Sequence, residues 1–346
     1  MANRPALAQS HAVKYRLHAY LPRGLTILLI VYIALVATTS GLSLFLRNAH
    51  ASTPKVSQAI VPAPAAKPPT TNPAPAATPA PAPRIEAYTT GLQADPQLQK
   101  ILDAYNAVTP PNGLVVLDIT DKTYAAVEPD QVRTAASLYK LFVARELYDF
   151  KAKGKLSFDQ TMTVTQTAAN QDDTNVNDYS VGSSISIADC LQRMIVISDN
   201  TCGYLLGGLI GWNNANDTLH VRGYSQTSLG TDQLTSAGDV GLLLRRMAEG
   251  QMVDEASSRD LEALLFQQQV NDRLPALLPA GVIGHKTGNL GSLVHDAGLV
   301  RSQGKSYVIV VMSGPWGSTG TDAANSAIAG LSRQVYDYIL NYNPKP

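Results

Sequence analysis

The sequence predicts an α/β fold of the α+β kind, in which one antiparallel sheet is flanked by helices and an all-α region is inserted into it. Two apolar runs within residues 113–129 indicate a hairpin, and three short apolar runs within 281–314, with glycine-containing turns between them, indicate antiparallel strands. The segment between these groups has helical apolar spacing. Strands at both ends with helices between them indicate one sheet built from both ends of the domain.

The helices follow in chain order. Residues 96–108 have helical apolar spacing, and residues 137–153 predict a second helix. In the middle region, Ser186 and Asp189 have the spacing of a capping box at the start of a helix. Residues 321–342 predict a helix that closes the domain.

The composition excludes several classes of function. Lysine and arginine together number 27, as do aspartate and glutamate, so no basic field is available to attract nucleic acid. The two cysteines are too few for a disulfide scaffold and lack the paired spacing of a zinc site. No cofactor and no metal are predicted, and a monomer is expected.

The N-terminus predicts a membrane anchor. Residues 25–46 are 22 residues in a row without a charge, long enough for a helix to cross a hydrocarbon core of roughly 30 Å. A secretory signal peptide cut after residues 49–51 is the alternative, and it also exports the domain. Four basic residues precede the apolar stretch, which places residues 1–24 in the cytoplasm and the remainder outside: Arg4, Lys14, Arg16 and Arg23.

A linker separates this anchor from the folded part. Residues 47–88 are dominated by proline and alanine, a composition that cannot form a core and favours an extended, disordered chain. The folded domain is predicted over residues 89–346.

Three short motifs carry the chemical signal. S-x-x-K occurs three times, but only Ser137 and Lys140 stand at the start of a predicted helix. Ser198-Asp199-Asn200 and Lys286-Thr287-Gly288 each occur once, later in the chain, and the second falls on a predicted strand. This order of S-x-x-K, S-D-N and K-T-G is typical of class A β-lactamases and penicillin-binding proteins.

The chain therefore resembles the class A β-lactamase-like and penicillin-binding serine hydrolases, over nearly the whole domain from residue 90 onward. Longer segments share the resemblance, among them "LQRMIVISDNTCGYLL", "LTSAGDVGLLLRRM" and "GHKTGNLGSLVHDAGLV". It implies a β-lactamase/transpeptidase-like fold with the active site between the sheet and the helical region. It also implies a serine acyl hydrolase that forms an acyl-enzyme.

The residue types suit that chemistry. A serine hydroxyl needs a neighbouring base to become a nucleophile, and Lys140, three residues along the helix, lies on the same face as Ser137. Lysine is a base only when its pKa is lowered, which burial and a second cation, Lys286, would both do. The resemblance implies that Ser198 passes a proton to the leaving nitrogen and that Asn200 contacts the substrate amide.

The resemblance also assigns the substrate-binding groups. Lys286 and Thr287 would bind the substrate carboxylate, and Gly288 would let the substrate backbone lie close to the strand. The backbone N–H groups of Ser137 and Asn289 would form an oxyanion hole.

One family feature is missing. Class A β-lactamases hydrolyse the acyl-enzyme with a loop glutamate, but residues 202–233 contain no glutamate. Asp217 or Asp232 could substitute, although an ion pair between Arg222 and Asp232 that pins the loop is the preferred role of Asp232. Without a positioned base, deacylation is slow, which favours a D,D-peptidase inhibited by penicillins.

The sequence thus predicts a single-pass protein of a bacterial cell membrane whose extracytoplasmic domain acts on β-lactams, on D-alanyl-D-alanine peptides of peptidoglycan, or on both. A β-lactamase with a substitute base is the first alternative. A non-catalytic wall-binding or sensor module is the second, although the intact motifs count against it. The natural substrate and the cleavage of the N-terminal segment are left open.

Four further residues have structural interpretations. Cys190 and Cys202 flank the S-D-N motif and are favoured as two buried thiols over a disulfide. Alternation along the strand places His285 on the face opposite to Lys286. Trp212 and the tryptophan at 316 are predicted to be packing residues.

Overall fold

The computed structural model describes residues 88–171 and 179–341. The predicted cytoplasmic segment, membrane helix and linker therefore lie outside the described residues, except for Tyr88, which is buried. None of the helices in the described part combines the length and the apolar character that a membrane span requires.

A six-stranded sheet is built from both ends of the described chain, as predicted. Its strands are β1 (Gln93–Ala94), β2 (Asn112–Asp118), β3 (Thr123–Val127), β8 (Ile283–Leu290), β9 (Leu293–Ser302) and β10 (Lys305–Ser313). The strand order is β1-β3-β2-β10-β9-β8, and every pairing is antiparallel except the parallel pair β1 and β3. The junction of the two ends is the pairing of β2 with β10. Four short strands form two separate pairs, β4 (Arg133–Thr134) with β7 (Leu234–Thr235) and β5 (Thr161–Thr163) with β6 (Ser184–Ser186).

Helices cover both faces of the sheet. Leu114 and Val116 of β2 belong to one apolar core, whereas Val115 and Leu117 belong to the other, because alternate side chains of a strand point to opposite faces. The α-helices that lie wholly within the described residues are α1 (Pro96–Asn106), α2 (Tyr139–Ala152), α3 (Gln166–Ala169), α4 (Ile187–Val196), α5 (Asn200–Ile210), α6 (Trp212–Val221), α7 (Ala237–Ala248), α8 (Glu255–Leu265) and α9 (Gly320–Asn341). Helices α1 and α9 pack on one face, and the inserted helices occupy the other.

A polar side chain caps helix α4 where the sequence predicts a capping box. The Ser186 hydroxyl accepts a hydrogen bond from the Asp189 backbone N–H at 3.0 Å and so caps α4. The Asp189 carboxylate reaches back to the Ser186 hydroxyl at 2.6 Å rather than to a backbone N–H. The interaction is therefore a variant of the predicted capping box.

Helix α2 runs through the interior. The ten residues Lys140–Asp149 are all buried, including the ion pair of Arg145 with Glu146. Asp149 accepts a hydrogen bond from Arg222 at 2.7 Å. The predicted pair of Arg222 with Asp232 is therefore wrong, because the arginine turns toward the buried carboxylate of α2.

The two cysteines are buried and joined by a disulfide, with their Cα atoms 5.1 Å apart. The prediction of two free thiols is wrong because α4 and α5 pack side by side, which sequence spacing alone does not reveal. The bridge links the two helices on either side of Ser198.

We predict that removing this bridge with a Cys190→Ala/Cys202→Ala double variant lowers the free energy of unfolding by about 3 kcal/mol, since the unfolded chain loses a closed loop. Denaturant unfolding at equilibrium measures the change. Reducing agent serves as the control, because it should lower the stability of the wild type and leave the double variant unchanged. Equal stability of the two proteins without reductant would contradict the prediction.

Candidate active site

Ser137 stands on a strained turn rather than in the helix itself. Residues Ala136–Leu138 form a single 3₁₀ turn, and α2 begins only at Tyr139, whereas the sequence predicts a helix from residue 137. Ala136 has a φ of 44°, a conformation that is costly for a residue with a side chain. Such strain is typical of functional sites and directs Ser137 toward the cavity that it lines.

Gly288 allows strand β8 to lie against this turn. A Cβ atom at Gly288 would come within 3.3 Å of the Ser137 backbone nitrogen and 3.4 Å of the Ala135 carbonyl oxygen. The missing side chain therefore lets the chain approach itself. The expected close approach of a substrate backbone at Gly288 stays a prediction.

Lys140 is the base nearest to Ser137. Its side chain is fully buried, and Nζ lies 3.1 Å from the Ser137 Oγ. Nζ also donates to the Ser198 carbonyl oxygen at 2.5 Å and to the Asn200 Oδ1 at 2.6 Å. These two oxygens can only accept, so a neutral amine would give them both of its hydrogens and turn its lone pair toward the hydroxyl of Ser137 or Ser198.

Ser198 connects the two lysines of the site. It lies between α4 and α5 with a φ of 62°. Its Oγ is 3.2 Å from the Nζ of Lys140 and accepts a hydrogen bond from the Nζ of Lys286 at 2.8 Å. The four side chains thus form a continuous row, Ser137, Lys140, Ser198 and Lys286, along which protons can move.

Lys286 is held in a state that disfavours its charge. Burial lowers the pKa of Lys286 well below its ordinary value of 10.5, and the adjacent Lys140 lowers that pKa further. The Asp296 carboxylate raises the pKa, and Arg273 lowers it. The pair of lysines therefore favours a neutral amine in the row, which acid–base catalysis requires.

The remaining predicted residues lie around this row. Thr287 follows Lys286 on β8 and is 4% exposed, whereas Asn289 is exposed and lines the same cavity as Ser137. Strand β8 is at the edge of the sheet, so no described strand pairs with its outer side. The structure thus brings all eight predicted site residues to one region.

A polar cluster behind β8 was not predicted. His285 Nδ1 lies 2.8 Å from the buried Asp296 carboxylate, which also accepts a hydrogen bond from the Leu274 backbone N–H at 3.1 Å. His285 therefore faces away from Lys286, as the alternation predicts. Arg273 is 2% exposed and donates to the His295 carbonyl oxygen at 2.8 Å. A lone arginine in a loop gave no signal that it would pack behind the K-T-G strand.

A cavity of about 820 Å³ opens beside Ser137. Aromatic rings form one wall, where Trp212 lies 6.4 Å from Tyr139 and 6.0 Å from Tyr204 between ring centres. Trp212 is half-buried and lines the cavity, so its role is not packing alone as predicted. The tryptophan at 316 is buried in the apolar core on the other face of the sheet, as predicted.

Two glycines of α5 make room for these rings. A side chain at Gly207 would overlap the Trp212 ring, and a side chain at Gly203 would collide with the Tyr139 hydroxyl. The glycines stand four residues apart and thus on one face of the helix. The aromatic wall consequently rests directly on the backbone of α5.

A short loop over residues 228–234 forms the adjoining wall. Its ends are joined by backbone hydrogen bonds between Ser228 and Leu234, at 2.9 and 2.8 Å. The Asn216 side chain holds the Leu229 backbone from both sides, donating to its oxygen at 3.0 Å and accepting from its nitrogen at 2.7 Å. Asp232 projects from this loop as an exposed residue of the cavity wall, whereas Asp217 is not part of that wall.

A protein-family model matches most of this chain. The model of the Beta-lactamase enzyme family matches residues 93–339. The chain belongs to this family. It therefore has a β-lactamase-like serine hydrolase fold, which confirms both the resemblance and the predicted fold class. Comparison with curated proteins gives no match.

Solved structures support the fold. PBP-A matches with a TM-score of 0.67 and 23% identity, over 72% of this chain and 98% of its own. A β-lactamase from Sphaerobacter thermophilus matches with a TM-score of 0.64 and 20% identity, over 71% of this chain and 98% of its own. TLA-1 extended-spectrum β-lactamase matches with a TM-score of 0.65 and 22% identity, over 71% of this chain and 99% of its own.

Within the part of the chain that the structure describes, no group of three or more histidine, cysteine, aspartate or glutamate side chains could hold a metal ion.

We predict that a Lys286→Met variant differs from the wild type in the pH dependence of its stability. Below 10.5 and above the lowered pKa of folded Lys286, the unfolded chain holds a proton that the folded chain lacks. The free energy of unfolding of the wild type, relative to the variant, therefore rises with pH by up to about 1.4 kcal/mol per pH unit and levels off above 10.5.

Denaturant unfolding between pH 7 and 10.5 measures this difference. A Thr287→Val variant is the control, because it removes no titrating group and its difference from the wild type should stay constant. A difference for Lys286→Met that is flat or falls with pH would contradict the assigned direction.

Proposed function

We propose that the protein is a serine acyl hydrolase that acts through an acyl-enzyme on D-alanyl-D-alanine peptides and on β-lactams. The observation that carries the proposal is the hydrogen-bonded row of Ser137, Lys140, Ser198 and Lys286, which opens at Ser137 onto the cavity. A nucleophile, a base and a proton relay are the parts that acyl transfer needs.

When the substrate carboxylate binds, the shared proton of the row moves through Ser198 onto the Lys286 amine and leaves Lys140 neutral. In the first step, the Ser137 Oγ bonds to the carbonyl carbon of the substrate amide while its proton passes to this neutral amine. The amide C–N bond then breaks, and a proton delivered through Ser198 converts the leaving nitrogen to an amine. The substrate carboxylate binds Lys286 and Thr287, and the N–H groups of Ser137 and Asn289 stabilise the developing oxyanion. In the second step, water hydrolyses the Ser137 ester and restores the hydroxyl.

The second step is proposed to be slow. It needs a base that activates water, and the cavity wall of the described chain contains no glutamate. Slow deacylation favours a D,D-peptidase that penicillins inhibit over an antibiotic-destroying enzyme. The structure of a PBP-A variant in an acyl-enzyme complex with penicillin G supports penicillin as the test ligand.

A β-lactamase with a substitute base is the second candidate. Its supporting observation is that Asp232 lines the cavity, whereas Asp217 does not. The exposure of Asp232 on a loop counts against this candidate, because bulk solvent surrounds the carboxylate and it is poorly placed to hold one particular water molecule.

The proposed location is the outer face of a bacterial cell membrane. The disulfide between Cys190 and Cys202 supports export, because such bonds persist in oxidising compartments. The uncharged residues 25–46 support a single membrane anchor, and the linker over 47–88 supports a domain that reaches peptidoglycan.

We predict that the full-length chain, purified in detergent and mixed with benzylpenicillin, gains the mass of one penicilloyl group and keeps it for many minutes. Intact-mass spectrometry over time measures the adduct. A Ser137→Ala variant is the control and should show none, because it lacks the nucleophile.

A short-lived adduct with catalytic loss of penicillin would instead identify a β-lactamase, and an Asp232→Asn variant should then prolong the adduct while Asp217→Asn does not. No adduct and no turnover would overturn the hydrolase proposal for this ligand and favour a non-catalytic binding module.

We also predict that the full-length chain sediments with bacterial membranes, and that a chain starting at residue 85 with a cleavable signal peptide does not. Fractionation of cells expressing each form tests this, and the mass of the mature N-terminus distinguishes an anchor from a cleaved signal. Recovery of the uncleaved full-length chain in the soluble fraction would contradict the anchor.

A further inference from the structure

Asn216 of α6 binds the backbone of the 228–234 loop as a neighbouring strand would. Its Nδ2 donates to the Leu229 carbonyl oxygen at 3.0 Å, and its Oδ1 accepts from the Leu229 N–H at 2.7 Å. Leu229 is buried in the apolar core beside the inserted helices, so its N–H and C=O groups both need a hydrogen-bond partner from the protein. One amide meets both needs, because it carries a donor and an acceptor side by side.

The loop is joined by hydrogen bonds to the turn that carries the nucleophile. Leu234, at the end of the loop, pairs with Thr134 in the short ladder of β4 and β7. Directly beyond this ladder, the Ala135 N–H donates to the Gln233 carbonyl oxygen at 2.7 Å. Ala135 is the residue immediately before the 3₁₀ turn Ala136–Leu138. A single hydrogen bond therefore connects the loop to the start of that turn.

Strained backbone lies on both sides of this hydrogen bond. Gln233 has a φ of 40° and Ala136 has a φ of 44°, which is costly for residues with a side chain. Such conformations persist only where the surrounding contacts hold them in place. The turn is held from two directions, by strand β8 at Gly288 and by the loop at Gln233.

A second contact of α6 lies just outside the loop. The His220 Nε2 is 2.9 Å from the Thr227 carbonyl oxygen, one residue before the loop begins. This contact holds the segment that enters the loop, but it leaves the peptide groups of Leu229 to Asn216. Asn216 also lines the cavity, so a direct contact with the ligand is the alternative role that an experiment has to separate.

We propose that Asn216 is a positioning residue for Ser137, given the acyl-transfer function above. Its amide fixes the peptide groups of Leu229, and the loop transmits this position to the Gln233 carbonyl oxygen. The hydrogen bond from Ala135 to that oxygen keeps the strained turn in the conformation that directs the Ser137 hydroxyl into the cavity. Asn216 acts through the backbone and takes no part in the bonds that form and break.

Acylation of the full-length chain by benzylpenicillin, in detergent, tests this. Quenched-flow mass spectrometry at rising penicillin concentrations separates the dissociation constant of the non-covalent complex from the rate constant of acylation. Asn216→Leu removes both hydrogen bonds to Leu229 and should lower the acylation rate constant about tenfold, because the nucleophile is misaligned. The dissociation constant should stay within about twofold of the wild-type value.

Two further variants calibrate this result. Asn216→Asp retains an acceptor for the Leu229 N–H and loses only the bond to the carbonyl oxygen, so it should slow acylation less than Asn216→Leu. Asn214→Leu is the matched control, because Asn214 is an exposed asparagine of the same helix that lies outside the cavity wall. It should acylate at the wild-type rate.

A double-mutant cycle with Ala136→Gly shows whether Asn216 acts through the turn. Glycine adopts a positive φ without strain, so this turn depends less on the loop. In the Ala136→Gly background, Asn216→Leu should slow acylation only about twofold. An equal loss in both backgrounds would overturn the proposal, because a ligand contact or a general loss of stability does not depend on strain at Ala136. Wild-type acylation by Asn216→Leu would overturn it as well.

Hydrogen exchange separates this proposal from the acyl-transfer function. Exchange at the Ala135 amide, read by mass spectrometry on peptides that end on either side of it, should be about tenfold faster in Asn216→Leu than in the wild type and unchanged in Asn214→Leu. Faster exchange in a chain that forms no penicilloyl adduct would overturn the hydrolase and keep the coupling between loop and turn. Unchanged exchange at Ala135 would overturn the positioning role, whether or not an adduct forms.

Discussion

Two lysine side chains without solvent contact share one serine hydroxyl, and the site depends on this arrangement. Burying two like charges side by side is unfavourable, so the folded state is more stable when one of the two amines is neutral. Burial lowers the pKa of Lys286 for this reason, and the neighbouring Lys140 lowers it further. Each amine still needs hydrogen-bond acceptors. Ser198 supplies its carbonyl and hydroxyl oxygens to Lys140 and its hydroxyl oxygen to Lys286. Ser198 makes these contacts from a left-handed backbone conformation.

The groups of this arrangement come from separate parts of the fold. Lys140 belongs to the buried helix α2, Lys286 to the edge strand β8, and Ser198 to the junction of α4 and α5. That junction is held by the disulfide and by Asp199, which caps α5 and pairs with Arg193 at 3.1 Å. The site therefore exists only when the sheet and the inserted helices are assembled, and tertiary packing stabilises the strained turns.

Local patterns predicted much of this. The order of strands and helices, the sheet made from both chain ends and the strand that carries Lys286 follow from periodicity, because burial on one face repeats at a fixed interval. The contacts that decide the cavity do not repeat. The partner of Arg222, the disulfide and the position of Arg273 depend on which helices become neighbours. Trp212 begins helix α6, which lies within the glutamate-free residues 202–233, and the exposure of its ring to the cavity depends on where that helix packs.

The two glycines of α5 have a consequence for how such a cavity can change. A side chain at Gly203 or Gly207 would overlap Tyr139 or Trp212, so a ring that lines the cavity beside Ser137 would have to move. The volume open to a ligand is therefore set by positions that no ligand touches. A lineage could reshape this pocket with a single glycine-to-alanine exchange and restore it by the reversal, while every residue of the proton row stays the same.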